Sequence, residues 1–498
     1  MKHSAQKTTS GIPALDDVLH GGLVPERLYL IDGNPGSGKT TLALQFLLAG
    51  VHLGERCLYV TLSETRQELM DGAASHNWSL NGIDIVEFIA DQEDWEGDGP
   101  LTMIQPADVE LSETMRKILG AIEKTNPARV VFDSLSEMRL LAQSSLRYRR
   151  QILALKQFFI GRRCTVLMLD DRTAEGPDLQ LHSIAHGVIA LYVEPPVYGQ
   201  TRRQLQVLKF RGSDFATGFH DFRIRHGGIA VYPRLVASEH SAEFGRSLIK
   251  SGVATLDALL GGGVERGTST LLVGPPGSGK STLALQYAAA ACERGDHSAA
   301  FIFDETKAAL LVRAEGVGLR IREGSGPRQM TIRQVDPVEI SPGEFAAEVR
   351  HSVEKEGARV VIIDSLNGYL NAMFQDNFLA AQLHELLSYL SNKGVTTLMV
   401  IAQSGMLGSM MQSPIDASYL ADSVVLLRYF EHNGAVKKAI SVMKKRTGGH
   451  EDSIRQIWFD DRGVHLSEPL LQLRGVLTGV PMDVASPPAQ PAVRSLRD

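Results

Sequence analysis

Short, unbroken apolar runs alternate along this chain with longer stretches in which apolar residues recur at helical spacing. Cys57-Leu-Tyr-Val60, Arg129-Val-Val-Phe132 and Thr165-Val-Leu-Met168 are of the first kind, while Thr114 to Glu123 and Tyr148 to Phe159 are of the second. An unbroken apolar run suits a strand covered on both faces, so the alternation predicts an α/β fold, a mostly parallel central sheet flanked by helices. The order returns downstream with Ala299 to Phe303, Arg359 to Ile363 and Thr396 to Ile401. Gln204 to Phe210 and Val436 to Lys444 instead alternate with period two, which predicts antiparallel strands extending each sheet.

The recurrence is a duplication. Leu28 to Ile31 runs into Gly33-Asn-Pro-Gly-Ser-Gly-Lys39-Thr40, and Thr270 to Val273 runs into Gly274-Pro-Pro-Gly-Ser-Gly-Lys280-Ser281. Helical patterns follow, beginning at Thr41 and at Thr282. Strand, glycine-rich loop and helix in this order form the phosphate-binding loop G-x-x-x-x-G-K-[ST]. Gly33, Gly36, Ser37 and Gly38, with Gly274, Gly277, Ser278 and Gly279, turn successive N–H groups onto phosphate at a positive helix N-terminus. Lys39 and Lys280 are placed to reach the β- and γ-phosphates of a nucleotide, and Thr40 and Ser281 to offer a hydroxyl to Mg²⁺.

Numbering keeps the two copies in step: 280 − 39 = 241 for the lysines, 257 − 16 = 241 for the Leu-Asp pair upstream, and 364 − 133 = 231 for the strand-end aspartates. The predicted organisation is a first domain over 1–236, a linker over 237–247, a second domain over 248–470, and a tail over 471–498. The linker reading rests on the Ser, Glu and His content of Val236 to Arg246. The tail carries Ala-Ser-Pro-Pro-Ala-Gln-Pro and is expected to be partly disordered.

Asp133 and Asp364 end the buried runs Val130-Val-Phe and Val361-Ile-Ile, about a hundred residues after each lysine, at the position of a Walker B carboxylate able to hold Mg²⁺ opposite the loop hydroxyl. The alternative is an aspartate that caps the next helix. Attack of water on the γ-phosphate also needs a group to orient it, and the end of the strand after the first helix is a natural place. There the copies read Leu62-Ser63-Glu64-Thr65 and Phe303-Asp304-Glu305-Thr306, sharing Glu64 and Glu305.

Composition narrows the class. Hydrophobic residues at 43% and charged residues at 22% are those of a globular protein. No long apolar span or signal peptide is evident, and Cys57, Cys164 and Cys292 lack C-x-x-C spacing, so they read as buried thiols of a cytoplasmic protein. A net charge of −6 argues against a constitutive nucleic-acid binder.

Together these residues resemble the KaiC family of double-domain RecA-like ATPases, from about Ser10 to Leu466. The matches include Ser10-Gly-Ile to Gly22, both loops, both Asp-Ser-Leu strand ends, Tyr59-Val-Thr-Leu-Ser-Glu-Thr65, Leu208-Lys-Phe-Arg-Gly212 and Ala421-Asp-Ser-Val-Val-Leu-Leu-Arg-Tyr429. The resemblance implies two tandem RecA-like P-loop domains, a homohexameric ring with ATP between protomers, slow hydrolysis, and in clock members autophosphorylation by the second domain. It implies that Lys209 with Arg211, and Lys444 with Arg446, reach a neighbour's γ-phosphate. Departures accompany it: Ser63 stands where family sites carry a second acid, Asp304 replaces a glutamate, and the Ser-Thr acceptor pair is replaced by Ser418-Tyr419. The expected function is an ATP-hydrolysing ring with second-domain autokinase capacity acting as a timer or signalling ATPase. Competing readings are a nucleotide-gated scaffold with little turnover and a DNA-dependent ATPase of the RecA or RadA type.

Overall fold

A computed structural model describes residues 6–88, 106–142, 144–172, 179–195, 199–372, 379–403, 419–478 and 481–483. The chain divides into two compact units, Met1–Arg234 and Leu235–Asp498. In the first, β1 (Leu28–Gly33), β2 (Cys57–Thr61), β3 (Ile83–Glu87), β4 (Arg129–Asp133), β5 (Thr165–Asp171), β6 (Gly187–Glu194), β7 (Arg202–Phe210), β8 (Phe219–Arg225) and β9 (Gly228–Tyr232) form one nine-stranded sheet. Its order is β3-β2-β4-β5-β1-β6-β7-β8-β9, parallel as far as β6 and antiparallel from there on.

The second unit opens with a short antiparallel pair, β10 (Leu248–Ile249) and β11 (Val264–Glu265). Its main sheet comprises β12 (Ser269–Gly274), β13 (His297–Ile302), β14 (Met330–Gln334), β15 (Ala358–Asp364), β16 (Thr396–Ala402), β17 (Ser423–His432), β18 (Ala435–Lys445), β19 (Arg455–Asp460) and β20 (Gly463–Pro469). The order β14-β13-β15-β16-β12-β17-β18-β19-β20 repeats the first unit's topology strand for strand. These are tandem RecA-like domains.

The apolar runs are explained by burial on both faces. Tyr29 and Ile31 of β1 pack with Leu42 and Phe46 of the helix Lys39–His52, whereas Leu28 and Leu30 point the other way, into a cluster with Ile118, Ile152 and Leu155. In the second unit Leu272 and Leu271 divide in the same manner between its two core layers. Burying each such side chain contributes about 1.5–3 kcal/mol.

The shared Ser-Gly-x-x-x-Leu-Asp segment is structural. Asp16 accepts from Ser10 N–H at 2.8 Å and from Thr9 at 2.5 Å, and Asp257 accepts from Ser251 N–H at 2.7 Å and its hydroxyl at 2.8 Å. Each aspartate thereby ties the entering chain to the first short helix. Segment 237–247 is polar, yet it packs on the second unit: Ala237 is buried, its carbonyl accepts from Asn392 at 2.9 Å, and the Arg266 guanidinium lies over the Phe244 ring.

Because β1 to β6 run in one direction, Gly33, Thr61, Asp133 and Asp171 all stand at the carboxyl ends of their strands, the edge where open α/β sheets bind ligands. Gly274, Ile302, Asp364 and Ala402 occupy the matching edge of the second sheet.

Candidate functional site

Each loop is a tight turn from a buried strand into a helix, and its glycines are forced. Gly38 and Gly279 precede the helices with φ of 100° and 104°, a left-handed conformation that costs a residue with a Cβ about 1–2 kcal/mol. A Cβ on Gly38 would stand 2.8 Å from Ile224 Cδ1, and one on Gly279 would enter the Phe459 ring. Gly36 and Gly277 share the sign, with φ of 77° and 74°, and only the second is crowded, by the Tyr429 hydroxyl. A Cβ on Gly33 would press on Ser37 Oγ and the Leu191 carbonyl. Ser37 Oγ and Ser278 Oγ are buried without a hydrogen-bond partner among the described residues, so each loop keeps an unanswered polar group inside it. Thr41 is half-buried and Thr282 buried in the first helical turns.

The lysines fold back over their loops. Lys39 Nζ donates to the carbonyls of Gly33 at 2.8 Å and Asn34 at 3.1 Å, and Lys280 Nζ to that of Pro275 at 2.7 Å. Burial pulls the Lys280 ammonium down to about 8, with Asp364 opposing the shift.

Facing each loop stands a hydroxyl–carboxylate pair. Thr40 Oγ1 donates to Asp133 Oδ2 at 3.0 Å, and in the second unit the Ser281 hydroxyl stands near enough to Asp364 to favour its ionised form. Burial raises both carboxyl groups above the ordinary range, outweighing these donors. Such a pair is the hard-oxygen donor set that suits Mg²⁺. Asp133 takes a second bond, at 2.5 Å, from the buried Tyr59 hydroxyl.

The acids after β2 and β13 are tied to the same place. Leu62 N–H donates to the Asp133 carbonyl and Phe303 N–H to that of Asp364, both at 2.7 Å. Glu64 and Glu305 are half-buried, and burial raises both carboxyl groups. Glu305 is paired with Arg313 at 2.6 Å, while Asp304 accepts from the Ser365 hydroxyl and Ser63 is exposed.

The basic pairs lie where β7 and β18 end. Both ladders carry a register shift just before Lys209 and Lys444, which pair with Val188 and Val424. Arg211 and Arg446 lie just beyond their strands, yet their N–H groups continue the ladder to His186 and Asp422 at 2.9 Å. Lys209 Nζ donates to the carbonyls of His182, Ser183 and Ala185, fastening the end of the helix Leu179–Ile184, and Lys444 Nζ donates to the Ala421 carbonyl. The exposed arginines are the outward members: Arg211 brushes Ser183 O, and Arg446 holds Tyr419 O at 2.8 Å and Asp422 at 3.4 Å. Tyr419 is 56% exposed, whereas Ser418 lies outside the described residues.

Sequence reasoning missed three neighbours of these sites: Tyr59, Arg313 and Asp171, which pairs with Lys39 at 2.6 Å. Reading the repeats against each other would have raised them, since Ala300, Gly72 and Ala402 hold the matching positions. Among the described residues no helix is long and apolar enough to cross a membrane.

Comparison with known proteins agrees with the duplicated architecture. The family model of the KaiC ATPase matches residues 8–236 and again 249–470. The circadian clock oscillator protein KaiC of Acaryochloris marina is 26% identical over 491 residues, covering 97% of this chain and 93% of the relative. Circadian clock protein KaiC3 of Synechocystis is 26% identical over 497 residues, covering 96% and 95%. The KaiC oscillator protein of Synechococcus elongatus is 25% identical over 485 residues, covering 95% and 92%.

Proposed function

The chain belongs to the KaiC family of ATPases, and on that premise we propose that it is a Mg²⁺-dependent, ATP-hydrolysing homohexameric ring of the cytoplasm, with serine/threonine autokinase capacity in its second domain and a timer or signalling role. The observation that carries the ATPase reading is the hydroxyl–carboxylate pair beside each phosphate loop, Thr40 with Asp133 and Ser281 with Asp364.

Thr40 and Asp133 in one unit, and Ser281 and Asp364 in the other, would hold Mg²⁺. The ion supplies charge neutralisation for the β- and γ-phosphates. The loop N–H groups and Lys39 or Lys280 bind and orient the phosphates. Glu64 and Glu305 stand at the strand ends to position a water and take its proton as its oxygen attacks the γ-phosphorus and the bond to the β,γ-bridging oxygen breaks. Arg211 and Arg446, exposed at the strand ends, are the groups that would reach a neighbouring protomer on releasing their local carbonyl and carboxylate contacts, with Lys209 and Lys444 shaping the strand ends from which they project. In the second unit a protein hydroxyl in place of water gives autophosphorylation. Ser418 and Tyr419 are the acceptor candidates, with Asp304 and Glu305 as the orienting acids.

The pairing of Glu305 with Arg313 favours a second reading, a nucleotide-gated scaffold with little turnover, because the orienting carboxylate is engaged elsewhere. Phosphate release by the full chain and by Lys39→Ala, Lys280→Ala and the double variant tests both. The proposal expects turnover in the wild type, a larger loss from Lys280→Ala, and none in the double variant. Stable ATP binding with no phosphate release in the wild type would leave the scaffold.

A further inference from the structure

The two loops carry near-identical sequences, yet different groups hold their lysines. Lys39 forms an ion pair with Asp171 at 2.6 Å, with only 8% and 25% of the two side chains exposed. Asp171 ends β5, in register with Gly33, the first residue of the loop. In the second unit Gly274 is in register with Ala402 instead, a methyl group in place of the carboxylate. Lys280 forms no ion pair among the described residues, and its ammonium turns to the Pro275 carbonyl.

Asp171 is fixed from its far side as well, since Ser136 Oγ donates to its Oδ2 at 3.2 Å. Burial is the main cause of the raised carboxyl groups of Glu64 and Asp133, and the Asp171 charge adds to it as the smallest contribution. A phosphate chain bound in the first loop therefore needs an ammonium that a carboxylate already holds, and it meets that carboxylate's negative charge. Repulsion grows with the charge brought to the site, so a triphosphate is penalised more than a diphosphate.

We propose that Asp171 is a positioning and selectivity residue of the first nucleotide site, restraining Lys39 so that ATP binds there less tightly relative to ADP than at a loop without the carboxylate. This rests on reading the loops as ATP sites. It makes the first site the braked member of the pair, for a reason independent of Ser63.

The test is equilibrium binding of ATP and ADP, each with Mg²⁺, to the full chain carrying Lys280→Ala to weaken the second site. Asp171→Asn keeps the side chain's size and an acceptor oxygen for Ser136 while removing the charge. A partly buried charge of this kind sets an expected gain in ATP affinity of about threefold to tenfold, with a smaller gain for ADP. Asp171→Glu restores the charge and should return the ATP-to-ADP ratio toward that of the parent. Asp171→Asn binding ATP no more tightly than the parent, or tightening ADP equally, overturns the proposal while leaving the ATP sites intact. A parent chain that binds neither nucleotide overturns the ATP-site reading, and this inference with it.

Discussion

Tyr59→Phe removes one hydroxyl from a fully buried ring and leaves everything else in place, so its effect can be worked from the structure. The hydroxyl donates to Asp133 Oδ2 at 2.5 Å, and Tyr59 and Asp133 are 0% and 6% exposed. A hydrogen bond to a charged acceptor contributes about 1.5–3 kcal/mol. Thr40 remains as a donor at 3.0 Å, which places the expected loss near the middle of that range, about 2 kcal/mol. Because the lost donor favoured the ionised carboxylate more than the neutral acid, the Asp133 carboxyl should rise further in the variant. The sign fixes the pH dependence. Burial already holds this carboxyl above its ordinary range, so ionised Asp133 disfavours the fold at pH above its folded value, and the cost disappears below the unfolded value, about 3.9. Raising the folded value further makes the variant's deficit largest at neutral to alkaline pH. On acidification it should shrink toward the ~1 kcal/mol of a neutral hydrogen bond. Amide hydrogen exchange, corrected for intrinsic rates and read at β2 and β4, measures the loss. β13 and β15 serve as an internal control, because Ala300 takes the place of Tyr59 there. Unchanged protection of β2 and β4, or a deficit that grows on acidification, would refute the reasoning.

Two further outcomes are expected. Gly279→Ala should abolish nucleotide binding at the second loop and cost about 2–5 kcal/mol, from left-handed strain plus overpacking against Phe459, whereas Gly36→Ala, with open space around it, should cost only the strain; nucleotide titration and thermal unfolding compare them. After incubation with labelled ATP, phosphopeptide mapping should place label on Ser418 and not on Tyr419, whose backbone is held by Arg446; label on neither, with hydrolysis intact, would remove the kinase and leave the ATPase.

The parts legible in the sequence were those where local chemistry dictates the outcome. Val130-Val-Phe132 and Val361-Ile-Ile363 could only be strands buried on both faces, and both loops announced themselves through glycines that no other residue replaces cheaply. The outer strands β3 and β14, half-exposed and mixed in composition, gave no comparable signal, nor did β8, β9, β19 and β20. Segment 237–247 reads as polar and unattached because the contacts of Ala237 lie with Glu385 and Asn392, far along the chain. Tyr59 and Asp171 were hidden for the same reason: each meets its partner only once strands distant in sequence lie side by side; Arg313 instead reaches Glu305 from the helix Lys307–Gly316, eight residues on. Lys209 reads as a free cation on a strand face, but the end of a neighbouring helix offers it three carbonyls.

Native mass spectrometry of the full chain with Mg²⁺ and ATP tests the central claim most directly. The account predicts a hexamer carrying two nucleotides per chain, and a shift toward smaller species in Arg211→Ala or Arg446→Ala with both units still folded. A monomer that hydrolyses ATP at the wild-type rate would contradict it.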